Sequence, residues 1–414
     1  MQPSELLKQG QLLRRQDRAE SIACFEESIQ RAESLNDEVL ISKALTELAI
    51  ELIEIGQIPA LGRAKSLLDR SIYILKKLDR EKLDSSHSQS VPSLSAHPRQ
   101  ATDQQRSYVI YAQGLLSLQE GNFHEAIAQF DQICSSYTNE PEMLSTLERN
   151  LAESYIGLGD FKTALSYLQK STSRTSRANN CELLGRIYLQ LDQYQRAQEY
   201  FEQSLDIAVE LDDKYLRVQA FIGLSQVAIA QAQWETAITV IKDVLSQLEE
   251  PLDLQQIAYL YLNLAEAKIG IDNIPQAQEY VKQFAIPRFE KLQNQHGLGL
   301  GKRTLARVLT ARLAKGMDEV TEESIEAIAD ELLEALMMFD NYGTPQEKAR
   351  TLYDLAVIYS LCCESRYRYQ FHGKAVRSLE QALAILNPFR DDSSVLVAKI
   401  ELFLNELMGD FGFV

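Results

Sequence analysis

Asn150-Leu-Ala-Glu-Ser-Tyr155, continuing through Gly159-Asp-Phe161 to Ala164, is one copy of a pattern that the chain repeats. Leu184-Gly-Arg-Ile-Tyr188 leads to Tyr194 and Ala197, Leu224-Ser225 leads to Trp234 and Ala237, and Leu264-Ala265 leads to Ile274 and Ala277. Self-similarity at roughly 20–50 residues marks a solenoid, because each unit is a helix pair that can bury its apolar face only against a neighbour. The pattern predicts an all-α chain of stacked antiparallel helix pairs whose function is binding rather than catalysis.

The rest of the chain reads the same way. Apolar residues recur at three- and four-residue spacing in Leu45-Leu48-Leu52-Ile55, Leu205-Ala208-Leu211 and Leu379-Ala382-Leu383-Leu386, each the buried stripe of a helix. Gly121-Asn122 and Gly159-Asp160 supply the short turns inside a pair, and Pro141, Pro251, Pro345 and Pro388 stand where helices start or break. No strand pattern persists. Asp84 to Gln105 differs: DSSHSQSVPSLSAHPRQATDQQ is rich in Ser and Gln and poor in large apolar groups, so it predicts a flexible connection. The expected organisation is degenerate repeats over 1–83, a linker over 84–106, a central array over 107–290, divergent repeats over 291–392, and a capping helix and tail over 393–414. Irregular stretches are expected at Lys315 to Glu322 and Cys362 to His372.

Charge and cysteine content exclude several classes. The 42 basic against 59 acidic residues leave a formal charge of −17, which argues against nucleic acid and anionic membranes as partners. Cys24, Cys134, Cys181, Cys362 and Cys363 are odd in number and scattered, and four of them sit in apolar helical patterning, which fits a reducing compartment. The beginning, Met1-Gln-Pro-Ser-Glu-Leu-Leu-Lys, has no basic segment followed by an apolar run, and no stretch approaches the ~18 apolar residues of a membrane span. The expectation is a cytoplasmic protein.

Catalytic readings find little support. His87, His97, His124, His296 and His372 stand alone, without the spacing that ligates a metal, so no metal or cofactor is expected. His296-Gly-Leu-Gly-Leu-Gly301-Lys-Arg303 imitates a phosphate loop, but the first Gly of that motif would fall on His296 and Arg303 replaces its Ser or Thr. Its glycines are read as the entry to a helix. Cys362-Cys363 point in different directions on a helix and are read as inert thiols.

The repeated pattern resembles the tetratricopeptide repeat. It is clearest in Gln113-Gly114, Gly121-Asn-Phe123, Ala126 and Phe130; in Leu151-Ala152, Tyr155, Gly159-Asp-Phe161, Ala164 and Leu168; and in Leu184-Gly185, Tyr188, Tyr194, Ala197 and Phe201. Weaker copies are Leu48-Ala49 with Gly56 and Ala64, Leu305-Ala306, and Leu355-Ala356 with Tyr359 and Ala375. The steps from Ala126 to Ala164, to Ala197, to Ala237 and to Ala277 are 38, 33, 40 and 40 residues, against a standard repeat of about 34. This is similar to the longer-repeat branch that includes kinesin light chains and bacterial peptide-sensing regulators. The resemblance implies a right-handed α-solenoid.

In that family the first helix of each pair lines a concave groove. Carried onto this chain, the groove positions are Thr146, Arg149, Asn150 and Glu153; Asn179, Glu182 and Arg186; Gln219 and Gln226; Tyr259, Asn263 and Glu266; Arg303 and Arg307; and Arg350, Tyr353 and Asp354. Their arginines outnumber their acids by one, which suggests a comparatively basic channel for an acidic segment. The alternative is that these arginines pair with acids on adjacent helices. Asn150 and Asn263 precede the repeat Leu, where relatives use Asn to hold a peptide backbone; the alternative is a bridge between helices. The clamp for a chaperone's carboxylate is incomplete, since Leu183 and Gly223 follow Asn150 at the equivalent places.

The resemblance implies a non-enzymatic adaptor that holds a partner's peptide or helix in the groove. A regulatory receptor for a short peptide is a second reading. A structural subunit held through its edges is a third, and the tail Met408-Gly-Asp-Phe-Gly-Phe-Val414 could serve it or cap the array.

Overall fold

The computed structural model describes every residue except 1, 15–16, 87–96, 170–173, 249–253, 362–367, 392 and 410–414. Among the described residues all regular structure is helical. The helices are α1 (Pro3–Leu13), α2 (Arg18–Ser34), α3 (Glu38–Ile55), α4 (Ile58–Ser86), α5 (His97–Gln119), α6 (Phe123–Cys134) and α7 (Pro141–Gly157). They continue with α8 (Phe161–Leu168), α9 (Arg174–Gln190), α10 (Tyr194–Glu210), α11 (Lys214–Ala230), α12 (Trp234–Leu245) and α13 (Leu254–Gly270). The last are α14 (Ile274–Glu279), α15 (Ile286–Leu292), α16 (Gln295–Ala314), α17 (Glu322–Tyr342), α18 (Pro345–Ser360), α19 (Arg368–Leu386) and α20 (Ser394–Gly409).

The chain divides into two compact units, Met1–Asn150 and Leu151–Val414. In both, most helices pack on their sequence neighbours, and the first helices of successive pairs also touch: α1 with α3 and α3 with α5 in the first unit, and α9, α11, α13, α16 and α18 in series in the second. This is the stacking of an α-solenoid, in which a pair without neighbours would leave an apolar face in water.

Glycine facing phenylalanine brings the helices of a pair together. Gly10 lies against Phe25, Gly114 against Phe130, and Gly185 against Phe201, and each of these rings is fully buried. A Cβ on Gly223, from the following pair, would come within 2.3 Å of the same Phe201 ring. Glycine costs about 0.5–1 kcal/mol in a helix interior relative to Ala, so its use here reflects the room the ring needs. Gly270 accommodates Trp234 in the same way.

The turns follow one design. The amides of Asp160, Gln193, Gln233 and Asn273 donate to carbonyls five residues back, those of Tyr155, Tyr188, Ala228 and Lys268, and close each first helix in a Schellman-type hook. The residue before each amide has positive φ: Gly159, Asp192, Ala232 and Asp272. Asp160 and Asn273 then cap the next helix by accepting from the Thr163 and Gln276 amides. Between α14 and α15, Tyr280–Ala285 forms a π-helical segment. Pro287 explains it, because proline cannot donate to the carbonyl four residues earlier. The Arg288 guanidinium donates to the neighbouring Phe284 carbonyl at 2.7 Å.

The expected linker overlaps helix at both of its ends. Residues 84–86 belong to α4 and 97–106 to α5, while 87–96 lie outside the described residues. Thr102 and Gln105 are buried, and the Gln105 amide donates to Ser42 Oγ at 3.3 Å and Thr46 Oγ1 at 3.2 Å. The polar residues that suggested a loop are matched by polar residues inside α3. The break between α16 and α17 spans 315–321, as expected. Of the other stretches singled out from the sequence, 362–367 and 410–414 lie outside the described residues. The glycine-rich His296 segment forms the first turns of α16, capped by Asn294, with Gly297 against Phe289 and Gly299 against Phe339. No described helix is long and apolar enough to cross a membrane.

Since Phe201 is clamped from two sides, Gly223→Ala should destabilise the protein by about 1–3 kcal/mol through overpacking. Urea unfolding followed by circular dichroism measures this, and an unchanged midpoint would show that the ring has room to move.

Candidate functional site

Each unit carries its own polar inner face. In the first unit, Glu47 and Glu51 lie one turn apart on α3 with side chains 6% and 0% exposed. Arg14 bonds to both, Nη2 to Glu47 at 2.7 Å and Nε to Glu51 at 2.8 Å, and Arg18 Nε reaches Glu51 at 2.9 Å. The Tyr108 hydroxyl and the Gln11 amide also donate to Glu47. Burial and the Glu47 charge both push the Tyr108 phenol well above its ordinary range. All four carboxylate oxygens are thus engaged by α1 and the Arg14 that follows it, by α2 through Arg18, and by α5 through Tyr108, so this network joins helices. Arg149 and Asn150 lie near Tyr111 in this unit.

In the second unit the inner face is built by α7, α9, α11, α13, α16 and α18. It brings together Glu153, Glu182, Arg186, Tyr215, Tyr259, His296 and Glu347 within electrostatic reach of one another. Arg186 keeps 45% of its side chain accessible, although protein surrounds it. Burial works against its charge, but Glu182 and Glu153 outweigh this and raise its pKa. Its ion pair with Glu182 is long, 3.8 Å, so the guanidinium is only loosely held. Burial pushes the Tyr259 phenol up to about 12, and its hydroxyl lies 3.5 Å from His296 Nδ1. His296 Nε2 is 3.0 Å from Glu347 Oε1.

The remaining arginines are committed. Arg303 Nε pairs with Asp354 at 2.7 Å, Arg307 Nη1 with Glu266 at 2.5 Å, and Arg350 Nη2 with Asp192 at 3.5 Å. The expected basic channel is therefore corrected to an ion-paired face. With Glu347 and Asp192 included, its carboxylates outnumber its arginines.

Other expected groove residues sit differently. Asn263 is buried at 7% exposure and donates to Ser225 Oγ at 2.8 Å and the Ile222 carbonyl at 3.3 Å, so it bridges α13 to α11. Asn150 is 1% exposed. The position before the repeat Leu points between stacked first helices, and a small partner such as Ser225 lets an amide reach across. Tyr353 packs at a tilt of 57° against Phe403 of α20, under the Lys399 ammonium. Asn179, Gln219 and Gln226 are half-buried on α9 and α11.

Two residues that sequence reasoning passed over complete the face. Glu347 closes a capping box with Thr344 at the start of α18, a motif visible as Thr344-Pro-Gln-Glu347. Burial alone would push its carboxyl up, but His296 and the Thr344 amide and hydroxyl hold it down at about 2. His296, isolated in sequence, meets this carboxylate 51 residues away.

Residues 174–250 match the family model described as tetratricopeptide repeat, and 119–204 match that of anaphase-promoting complex, cyclosome, subunit 3. The central repeats are thus of the tetratricopeptide type. No curated protein matches its sequence significantly. Among solved structures, it is similar to the Rap conjugation gene regulator of plasmid pLS20 in complex with the Phr* peptide. The TM-score is 0.55 at 14% identity, over 83% of this chain and 96% of that one. The apo quorum sensor NprR from B. thuringiensis gives 0.54 at 16% identity, over 80% and 87%. Aspartyl phosphate phosphatase F from Bacillus subtilis gives 0.50 at 16% identity, over 92% and 93%. At these identities the likeness is one of fold.

Two variants test the networks. Glu51→Ala, which removes one of the two carboxylates that hold Arg14 and the nearer partner of Arg18, should cost ~3 kcal/mol, the usual penalty for breaking a buried ion pair; a loss well under 1 kcal/mol in urea unfolding would mean water reaches the network. Glu347 has a folded pKa of about 2 against an ordinary 4.5, so its ionised form stabilises the fold above pH ~4.5. That contribution, about 3 kcal/mol, is lost as pH falls towards 2. Glu347→Gln should therefore flatten the acid side of the stability profile, read from urea midpoints across that interval, whereas a parallel profile would rule out the linkage.

Proposed function

We propose that this protein is a non-enzymatic receptor or adaptor that takes an extended segment of another protein along the inner face of its second unit. The observation that carries this reading is the environment of Arg186. A guanidinium with 45% of its side chain open to water, within electrostatic reach of Tyr215 and Tyr259 on neighbouring helices, is a polar group held in place with hydrogen-bonding capacity to spare. The Phr* complex of the pLS20 regulator supports it, since that protein shares the fold and carries a bound peptide.

The site residues are Arg186, Tyr259 and Gln226, with Glu153 and Asn179 at one end and Arg303, Arg307 and Arg350 at the other. Recognition falls on hydrogen bonds to the segment's backbone and polar side chains, because three of these arginines already have carboxylate partners. Among these four arginines, Arg186 has the longest ion pair and is the one most open to an acidic segment.

Peptides selected from a random display library on the full-length protein test the reading. Their affinities, measured by fluorescence anisotropy, should weaken at least about tenfold in Arg186→Ala with Tyr259→Ala, a loss of ~1.4 kcal/mol. Equal affinity for wild type and variant would place the binding surface elsewhere and favour a structural subunit held through its edges.

A further inference from the structure

The second unit touches itself across a long sequence interval. Three residues in the first two turns of α18, Pro345, Gln346 and Arg350, reach the turns of two much earlier pairs. Pro345 and Gln346 meet the α7–α8 turn at Gly159, where an added Cβ would lie 3.0 Å from the proline ring and 3.1 Å from Gln346 Oε1. Gly159 has φ +78°, a conformation that Asp192, Ala232 and Asp272 also adopt in the equivalent turns, so it is the close approach of Pro345 and Gln346 that calls for glycine here. Gln346 is fully buried, its amide donates to Ser393 Oγ at 3.2 Å, and its Oε1 has no hydrogen-bond partner.

One turn further along α18, Arg350 crosses 160 residues of sequence to the end of α9. Its Nη1 donates to Gln190 Oε1, and its Nη2 donates to the Gln190 carbonyl at 3.2 Å and lies 3.5 Å from Asp192 Oδ1. Gln190 is the last residue of α9, so its carbonyl is one of those a helix leaves without an internal partner, at the end where a cation is favoured. Asp192 is held in turn by the Tyr194 hydroxyl at 2.9 Å. Between these two contacts lies Glu347, bound to His296 on α16.

Repeat stacking explains contacts between neighbouring pairs but not this one. We propose that α18 is a clasp: by gripping the α7–α8 and α9–α10 turns it fixes the winding of the second unit, and its release opens the inner face to a ligand. The second half of this statement rests on the function proposed above. Both contacts lie at the edge of that face, and Arg350 and Glu347 belong to both clasp and face. A ligand that competes for Arg350 or Glu347 would loosen the clasp as it binds.

The test uses the full chain without ligand. Spin labels introduced as non-natural amino acids at the exposed positions Gln193 and Asn341 report the separation of the α9–α10 turn from the α17–α18 turn. Wild type should give one narrow distance, and Arg350→Ala should shift it longer and broaden it with helical content unchanged. If Arg350→Ala does not fold, Gln190→Ala with Asp192→Ala removes the side-chain partners of the clasp from the other side. An unchanged distance in a folded variant overturns the clasp. Hydroxyl-radical oxidation of Tyr259 reads the second half: it should rise when the distance lengthens, and an opened clasp with unchanged Tyr259 oxidation overturns the gating. Peptide affinity has no part in these readouts, so loss of the clasp leaves the receptor reading standing, and loss of the receptor reading leaves the clasp.

Discussion

The fold depends on the contact between an aromatic ring on one helix and a glycine on the next. A helix pair in this chain has a strongly apolar inner surface and no β-sheet to bury it, so close approach is the only way to exclude water. Large rings such as Phe201, facing Gly185 and Gly223, turn that requirement into a definite geometry: the ring fills the volume the missing side chains leave. Substituting either partner either overfills the space or opens a cavity, and both cost stability in a densely packed interior. The same device at Gly10 with Phe25 and Gly114 with Phe130 recurs in the first unit, so the two units share one packing rule.

Because the outer helices and the packed interior consume the apolar residues, the inner faces are left to polar ones, and the units use them differently. In the first unit Glu47, Glu51 and Arg14 are bonded to one another in a region with little water, where each charge is tolerated only because the other is present. In the second unit, Arg303 and Arg307 are held in pairs, while Arg186 remains wet and loosely bound. A saturated network resists a ligand because every bond offered must first be broken. A wet guanidinium gives up water and, at Arg186, one long ion pair with Glu182.

This division shows what could be read from the sequence. The repeats, their turns and the ring-to-glycine contacts are local, lying within one or two helices, and the spacing from Leu184-Gly185 to Phe201 exposes them directly. Arg186, Tyr259, Arg303 and Arg307 were reachable by transferring groove offsets, because a side chain's direction on a helix follows from its position. For Asn263 the sequence left two readings open, peptide contact and a bridge between helices, since one step of 100° separates the groove from the seam between first helices, and Ser225 provides its partner only after stacking. Composition misread Gln105 for the same reason: its partners, Ser42 and Thr46, stand on another helix.

Contacts such as Arg350 with Gln190 were beyond reach by any local rule. Each pair in a solenoid is rotated slightly from the last, and the position of the fifth relative to the first is the sum of those rotations. Small changes in packing at each step would add into a large displacement, and nothing in the repeat pattern corrects it. A specific bond across the gap does correct it, since Arg350 can meet the Gln190 carbonyl at only one winding. The glycine at 159 has the same effect from the opposite direction, as any side chain there would hold the turn away from Pro345. The local pattern therefore determines that the helices stack, while two contacts between residues distant in sequence determine how far the second unit winds.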